Sequence, residues 1–511
     1  WLRRQNPTLL RIDSTLDRAT QRLARDVLSR EADELARQGI HNGAIVVSDH
    51  RDGTVAAAVG NIDFWDAQHA GQMIAFDTPR SVGSTLKPLI YALAIERGLV
   101  LPGFLVSDVP TLFGAYRPRN YNGQFLGMVR LDAALSMSLN IPFVELLRKL
   151  GTDRLIGTLS SMNFNHLTLD PGHYGLSAAV GGVELTPLEL TELYTSLAQG
   201  GSFRPLRWLR NAPKEEAIQL IAPGPVHLTR AVLSQRDRPD FPLRRKMSGA
   251  PANIHWKTGT SFGHRDAWAA GSNTTHSATV WLGNLDRTAS RSLVGGEAAG
   301  PLLFDLLDGT TDSGVRPPRR PLDLTTVKVC SLSGRLPGSA CPHREVVDAF
   351  AAEVPTERCP YHRRIHIAQA TGLSMHAGCH SAQTSRVAVH AIFPARVQRY
   401  LSGTLSLLPK PPPPDPNCPP VRQGTGPSIT SPDHFTILLM PNLRPDEQEI
   451  PFEADAPGDA QLSWFVDNAY LGTSAAGERL WWQPTPGVHQ ILVHDQNGRK
   501  SRRQVKVQAP K

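Results

Sequence analysis

Three short segments hold residue types that can carry out acyl transfer. The first is Ser84-Thr85-Leu86-Lys87. A hydroxyl and an amine at i and i+3 share one helix face, so the amine can deprotonate the hydroxyl. Gly83 precedes the serine, and Pro88 is tolerated only in a first helical turn, which places Ser84 at a helix start. Leu86, Leu89, Ile90 and Leu93 keep helical spacing, with Gly98 as the C-terminal stop. A positive helix end and burial both disfavour an ammonium, which leaves Lys87 able to accept the serine proton. Taken alone the pattern is weak, because a serine cap followed by a solvated lysine looks the same.

The second segment is Ser138-Leu139-Asn140. It lies between the helical pattern Leu131–Leu135 and another opened by Pro142, with Val144, Leu146 and Leu147. In such a loop a hydroxyl can relay a proton and an amide can hold a substrate backbone. An ordinary capping loop would have the same composition. The third is Lys257-Thr258-Gly259-Thr260, which follows Ile254-His255-Trp256 and reads as a strand. Alternation puts Lys257 and Gly259 on one face, Thr258 and Thr260 on the other. Glycine there permits close approach by another backbone. An extended peptide can add along the strand, its carboxylate anchored by Lys257 and the two threonine hydroxyls. A plain edge strand guarded by a lysine is the competing reading. Together, and in this order, the segments supply a nucleophile, a base, a second proton carrier and a carboxylate anchor. The backbone N–H groups of Ser84 and Thr260 would be the oxyanion donors.

The elements that must position these residues are legible in outline. Leu23, Val27, Leu28 and Leu35 mark a helical pattern ended by Gly39. Two apolar runs around Asp52-Gly53 read as a β-hairpin. Residues from about 80 to 240 are mostly helical, and strands return between about 253 and 295. Strands at both ends of a helical middle imply one α+β domain with one sheet. Proline-rich linkers near Gly309–Pro321 and Pro409–Pro432 divide the chain. The expected organisation is an N-terminal linker and helix region over 1–40, a main domain over 41–308, a Cys-containing and Pro-rich region over 309–432, and a C-terminal domain over 433–511. Phe435–Leu438, Leu462–Asp467, His489–Val493 and Gln504–Val507 look like short strands, with turns at Asp467-Asn468 and Asn497-Gly498, so the last domain reads as a small all-β Ig-like sandwich.

At 511 residues the chain calls for two or three domains. The net charge of +8 is dispersed, with short clusters at Arg316–Arg320 and Arg499–Arg503. No groove-reading motif accompanies it, which argues against nucleic acid as a partner. No apolar run reaches the roughly 20 residues of a membrane span, no signal peptide is visible, and the chain opens on Trp1, so a longer parent protein is expected. All five cysteines, Cys330, Cys341, Cys359, Cys379 and Cys418, fall in one region. At least one disulfide is expected, with the pairing open. Cys341 with His343 and Cys359 with His362 also allow zinc, but the spacing is irregular, so neither a metal nor a cofactor is expected. Arg265, Asp266 and Trp268 either line the cleft or brace it as an ion pair and a core tryptophan. Trp464, Trp481 and Trp482 read as sandwich core rather than a sugar-binding surface.

With Gly263-His264-Arg265-Asp266-Ala267-Trp268 just after the third segment, the sequence resembles class A penicillin-binding proteins, of the 1C type. Ser136-Met137-Ser138-Leu139-Asn140-Ile141-Pro142 and Gly181-Gly182-Val183-Glu184-Leu185-Thr186-Pro187 share that likeness, as does a Cys-bearing linker before a small C-terminal β-domain. The resemblance implies a penicillin-binding and serine β-lactamase-like transpeptidase fold, an antiparallel sheet with helices. It implies a D,D-transpeptidase that cross-links peptidoglycan stem peptides ending in D-Ala-D-Ala and is acylated by β-lactams. Carried over residue by residue, it makes Ser84 the nucleophile, Lys87 the general base, and Ser138, Asn140 and Lys257 further catalytic residues, with Thr258, Gly259 and Thr260 binding substrate. It also implies a periplasmic location, an inner-membrane anchor and a glycosyltransferase domain upstream of these residues, and a periplasmic α2-macroglobulin partner. The alternatives are a D,D-carboxypeptidase or penicillin-hydrolysing enzyme, in which water takes the acyl group, and a catalytically weak scaffold or sensor.

Overall fold

The Asp52-Gly53 turn, with Gly53 at a φ of 67°, folds β1 (Asn42–Asp49) and β2 (Thr54–Val59) into the expected hairpin. Only a residue without a Cβ takes that left-handed conformation without strain. Three later strands, β3 (His255–Thr260), β4 (Asp266–Ser272) and β5 (His276–Gly283), complete a sheet in the order β2-β1-β5-β4-β3. Every neighbouring pair is antiparallel. The computed structural model describes all residues except 10, 114–115, 165, 169, 242–253, 312–313, 316–318, 376–378, 380–383, 399, 414, 419–425, 433–435, 439–448, 457–459, 497 and 509–511. Parts of the proline-rich linkers, the Arg316 cluster, Phe435 and Asn497 therefore lie outside the described residues.

Both faces of the sheet are covered, which is why β1 and β4 read as near-continuous apolar runs rather than alternating ones. On one face α1 (Arg18–Arg30) and a C-terminal helix, Gly300–Gly309, contribute Val27, Leu28 and Phe304 to a core with Ile45, Val47 and Trp256. Asp17 caps α1 by accepting the Thr20 N–H. On the other face Ser48 of β1 shares a 2.6 Å hydrogen bond with Thr195, from the helix Pro187–Ala198. That helix starts on a reciprocal capping box between Thr186 and Glu189. The helical middle contains α2 (Lys87–Glu96), whose residues Lys87 to Ile95 are all buried. A helix buried on every side belongs at the centre of a domain rather than on its surface.

The residues divide into two compact units. One comprises Trp1–Phe104, Arg130–Val327 and Val346–Thr356; the other comprises Leu105–Val129, Lys328–Glu345 and Glu357–Lys511. The sheet and α2 belong to the first. In the second, the C-terminal residues form two sheets. One holds Ser428–Ser431, Ile450–Asp455 and Leu480–Trp482; the other holds Thr436–Leu438, Lys500–Gln508, Gly487–Asp495, Gln461–Val466 and Ala469–Ala475, each in that spatial order. Phe452, Trp464, Trp482, Ile491 and Val505 fill the space enclosed by the two sheets, a β-sandwich arrangement. Trp464 and Trp482 are core, as expected, while Trp481 is about half exposed. No helix among the described residues is long and apolar enough to cross a membrane.

Candidate active site

Ser84 lies in a tight 3-10 turn, Gly83–Leu86, that runs directly into α2. Gly83 has a φ of 54°, and a Cβ there would sit 2.7 Å from the Thr260 carbonyl oxygen. A Cβ on Gly259 would sit 2.5 Å from the Val82 carbonyl oxygen and 3.2 Å from the Ser84 nitrogen. Both glycines thus let the edge of β3 and the turn carrying Ser84 meet backbone to backbone, as the strand glycine predicts. Trp268 and Tyr194 fix the same turn from behind. The Trp268 indole donates to the Ser81 carbonyl at 2.7 Å, and the Tyr194 hydroxyl donates to the Thr85 carbonyl at 2.9 Å. The Gly181–Pro187 run lies alongside: Arg80 and Ser81 pair with Leu185 and Glu184, and the Ser81 hydroxyl donates to the Gly181 carbonyl.

Lys87, one helical turn beyond Ser84, is fully buried. Its Nζ donates to the carbonyls of Ser138 and Leu139 at 2.8 and 3.0 Å and to Asn140 Oδ1 at 2.7 Å. Burial pushes the amine well below the usual lysine range, and the charge of Lys257 adds to the shift. Ser138 sits between two helices, Leu131–Ser136 and Ile141–Leu150, with φ at 57°. A left-handed serine costs roughly 1–2 kcal/mol. That conformation turns the Ser138 carbonyl to Lys87 and its hydroxyl to Lys257, whose Nζ donates to Ser138 Oγ at 2.9 Å.

Lys257 is also fully buried and donates to its neighbour's carbonyl, Thr258 O, at 2.8 Å. Burial lowers it to about 7; Asp240 opposes the drop and Arg238 adds to it. Thr258 points to the other face, as alternation requires, and donates to Asp240 Oδ2 at 2.9 Å. On the same face Thr260 Oγ1 accepts the Gly295 N–H at 3.0 Å. Of the eight residues singled out from the sequence, Ser84, Lys87, Ser138, Asn140, Lys257 and Gly259 converge where the Ser84 turn, the Ser138 loop and the edge strand β3 meet, whereas Thr258 and Thr260 share that strand but turn their hydroxyls to its other face.

That constellation is matched by comparison with known proteins. The model of the penicillin binding protein transpeptidase domain covers residues 43–301. The chain belongs to this family. A second model, for the penicillin-binding protein C-terminus family, covers residues 417–507. Penicillin-binding protein 1C of Escherichia coli (strain K12) is 32% identical over 295 residues, 57% of this chain and 37% of that protein. Penicillin-binding protein 1B of Vibrio cholerae is 29% identical over 55% of this chain and 38% of its own length. The chain thus spans about two fifths of the length of these curated relatives. Among solved structures, penicillin-binding protein 1A from Haemophilus influenzae superposes with a TM-score of 0.52 at 21% identity, covering 62% of this chain and 54% of that one. PonA1 from Mycobacterium tuberculosis gives 0.51 at 20% identity, over 62% and 89%. These two share the transpeptidase fold.

Within this penicillin-binding transpeptidase domain, two residues were missed in the sequence. Arg238 is fully buried, lies 4.0 Å over the Trp256 ring, and pairs with Asp240 at 2.8 Å. Burial opposes the charge on Asp240, but Arg238 and Lys257 outweigh it and hold the carboxyl below its usual range. Asp240 is thus the anion beside Lys257, and it also fixes the Thr258 hydroxyl. The only trace of this pair in the sequence is two opposite charges at i and i+2, which no periodicity marks out. Asp266 and Trp268 brace the site: Asp266 accepts from the Trp281 indole at 3.0 Å, Trp268 is fully buried, and Arg265 is exposed.

Proposed function

We propose that the chain is a peptidoglycan D,D-transpeptidase that works through an acyl-enzyme on Ser84 and is acylated there by β-lactams. The observation that carries the reading is the convergence of two buried lysine amines on the Ser138 loop beside the Ser84 turn. Lys87, its pKa depressed, takes the Ser84 proton as Oγ attacks the carbonyl of the penultimate D-alanine. The backbone N–H groups of Ser84 and Thr260 receive the oxyanion. The Ser138 hydroxyl, hydrogen-bonded to Lys257, passes a proton to the departing amine of the terminal D-alanine. An amine of a second stem peptide then attacks the ester and gives its proton to the Ser138 oxygen, while Lys87 returns its proton to Ser84 Oγ as the ester bond breaks. A β-lactam opens at its ring amide instead, so its leaving amine stays tethered and blocks the second attack.

The donor peptide adds as an extra strand along the Thr258–Thr260 edge of β3, with its carboxylate drawn to Lys257 and its backbone amide held by Asn140. In domain terms, residues 41–308 carry this chemistry; the region over 309–432 holds strands of its own, and the sandwich expected over 433–511 takes in the strand Ser428–Ser431 as well. A periplasmic, membrane-anchored parent protein fits an oxidising compartment, and the Cys379–Cys418 disulfide suits one. The α2-macroglobulin partner rests on the resemblance alone. Intact-mass analysis after penicillin treatment should show one adduct, mapped to the Ser84 peptide and absent in Ser84→Ala. Rapid loss of that adduct with release of opened penicillin would move the assignment to a hydrolase. Acylation without cross-linked product from a lipid-linked substrate would move it to a scaffold.

A further inference from the structure

Three cysteines remain unbridged, Cys330, Cys341 and Cys359, while Cys379 and Cys418 form the disulfide expected in this region. The three are not scattered. Cys330 ends the strand Leu324–Cys330, Cys341 lies in the following loop, and Cys359 sits just before the strand His362–Ala368. Their sulfurs and one nitrogen of His362 all lie within 4.8 Å of one another. His362 Nδ1 is 3.4 Å from Cys330 Sγ and 3.5 Å from Cys359 Sγ. Cys330 is fully buried and Cys341 nearly so.

We propose that Cys330, Cys341, Cys359 and His362 bind one zinc ion, a structural site that ties three segments of the second unit together. A tetrahedron with Zn–S near 2.3 Å and Zn–N near 2.05 Å has S···N edges of about 3.5 Å and S···S edges of about 3.8 Å. The two S···N distances already match that figure, and no two of the four donor atoms lie more than 4.8 Å apart, so closing on an ion takes shifts on the order of 1 Å. The donor set, three thiolates and one imidazole with no open position, is the kind that holds structural zinc. A backbone N–H faces one of the sulfurs, as thiolate ligands require: Gly338 donates to Cys341 Sγ at 3.3 Å. The turn that presents Cys330 is closed by the Gly334 N–H on its carbonyl, with Gly334 at a φ of 69°.

A disulfide is the rival. It would join two of the sulfurs and leave the third thiol and the imidazole packed against it without a role. Zinc uses all four groups, and metal ligation shields three thiols that an oxidising compartment would otherwise oxidise. There is also a physical need. The hydrophobic cluster around this region consists of Leu105, Val109, Met128, Tyr361, Phe393 and Val397, a small core of the kind that metal ligation supplements. The sequence pairing of Cys341 with His343 is corrected: His343 is not among the converging groups, and Cys330 takes that place.

The full chain, exported to an oxidising compartment and purified without chelator, should carry about one zinc per molecule by plasma mass spectrometry. Cys330, Cys341 and Cys359 should resist iodoacetamide until a chelator is added. Cobalt(II) should replace the zinc and give the visible bands of a tetrahedral centre with thiolate charge transfer. His362→Cys should keep the ion and raise the charge-transfer intensity by about one third, since four thiolates replace three. His362→Ala should weaken cobalt binding at least about tenfold. Non-reduced peptide mapping that finds a disulfide between any two of the three cysteines overturns the proposal. So does a folded chain whose three free thiols bind no added cobalt.

Discussion

At the scale of single residues, the two buried lysines impose opposite demands on pH. In the proposed mechanism Lys87 must be a free amine to accept the Ser84 proton, so acylation should fall as pH drops through its depressed pKa. Lys257 must be an ammonium to donate to Ser138 and meet the substrate carboxylate. With its pKa lowered to about 7 by burial, it is charged below that value and neutral above it. The rate of penicillin acylation at limiting penicillin is therefore expected to be bell-shaped, losing roughly tenfold per pH unit on the alkaline side of 7. Arginine stays charged throughout, so Lys257→Arg should remove the alkaline limb at whatever rate it retains. An alkaline limb that persists unchanged in this variant would take Lys257 out of the proton-donating role.

At the scale of elements, the site depends on how closely β3 and the Ser84 turn approach. Gly259→Ala places a methyl 2.5 Å from a backbone oxygen of Val82, which cannot rotate away. The strand edge and the turn must separate, at a cost of about 1–3 kcal/mol, and the Ser84 and Thr260 N–H groups must part with them. Acylation should fall by roughly 10²-fold or more, the loss seen when an oxyanion donor is misplaced, while the melting temperature drops by only a few degrees. Wild-type acylation by Gly259→Ala would show that the close approach is packing alone. Much of this scale was readable from the sequence, because local rules govern it: Gly83 and Pro88 bracket the turn, Pro142 opens the helix after Ser138, and alternation sorts Lys257 from Thr258. What was not readable depends on distant partners. Arg238 and Asp240 acquire their role only by packing against Trp256, Lys257 and Thr258. The spacing of Cys330, Cys341, Cys359 and His362 is irregular because three segments, not one knuckle, deliver the ligands.

At the scale of the whole molecule, the residues proposed for acyl transfer, from Ser84 to Thr260, all belong to one compact unit and the C-terminal sandwich to the other. That division can be tested by damaging the second unit at its centre. Trp464 is fully buried, packs 5.4 Å from the Phe452 ring and donates its indole N–H to Ser474 Oγ at 3.0 Å. Trp464→Ala removes one of the two tryptophans of the sandwich core and takes the indole donor from that hydroxyl, which should cost about 3–5 kcal/mol. For a domain of this size the sandwich transition should fall by about 10 °C or more in calorimetry, and the transition of the unit that holds Ser84 should stay where it was. Penicillin acylation of Ser84 at 25 °C should match wild type within about twofold, since every residue proposed to act on the acyl group belongs to the other unit. A parallel fall in acylation would mean that the two units fold as one cooperative body, and the sandwich would then have to be counted among the supports of the active site.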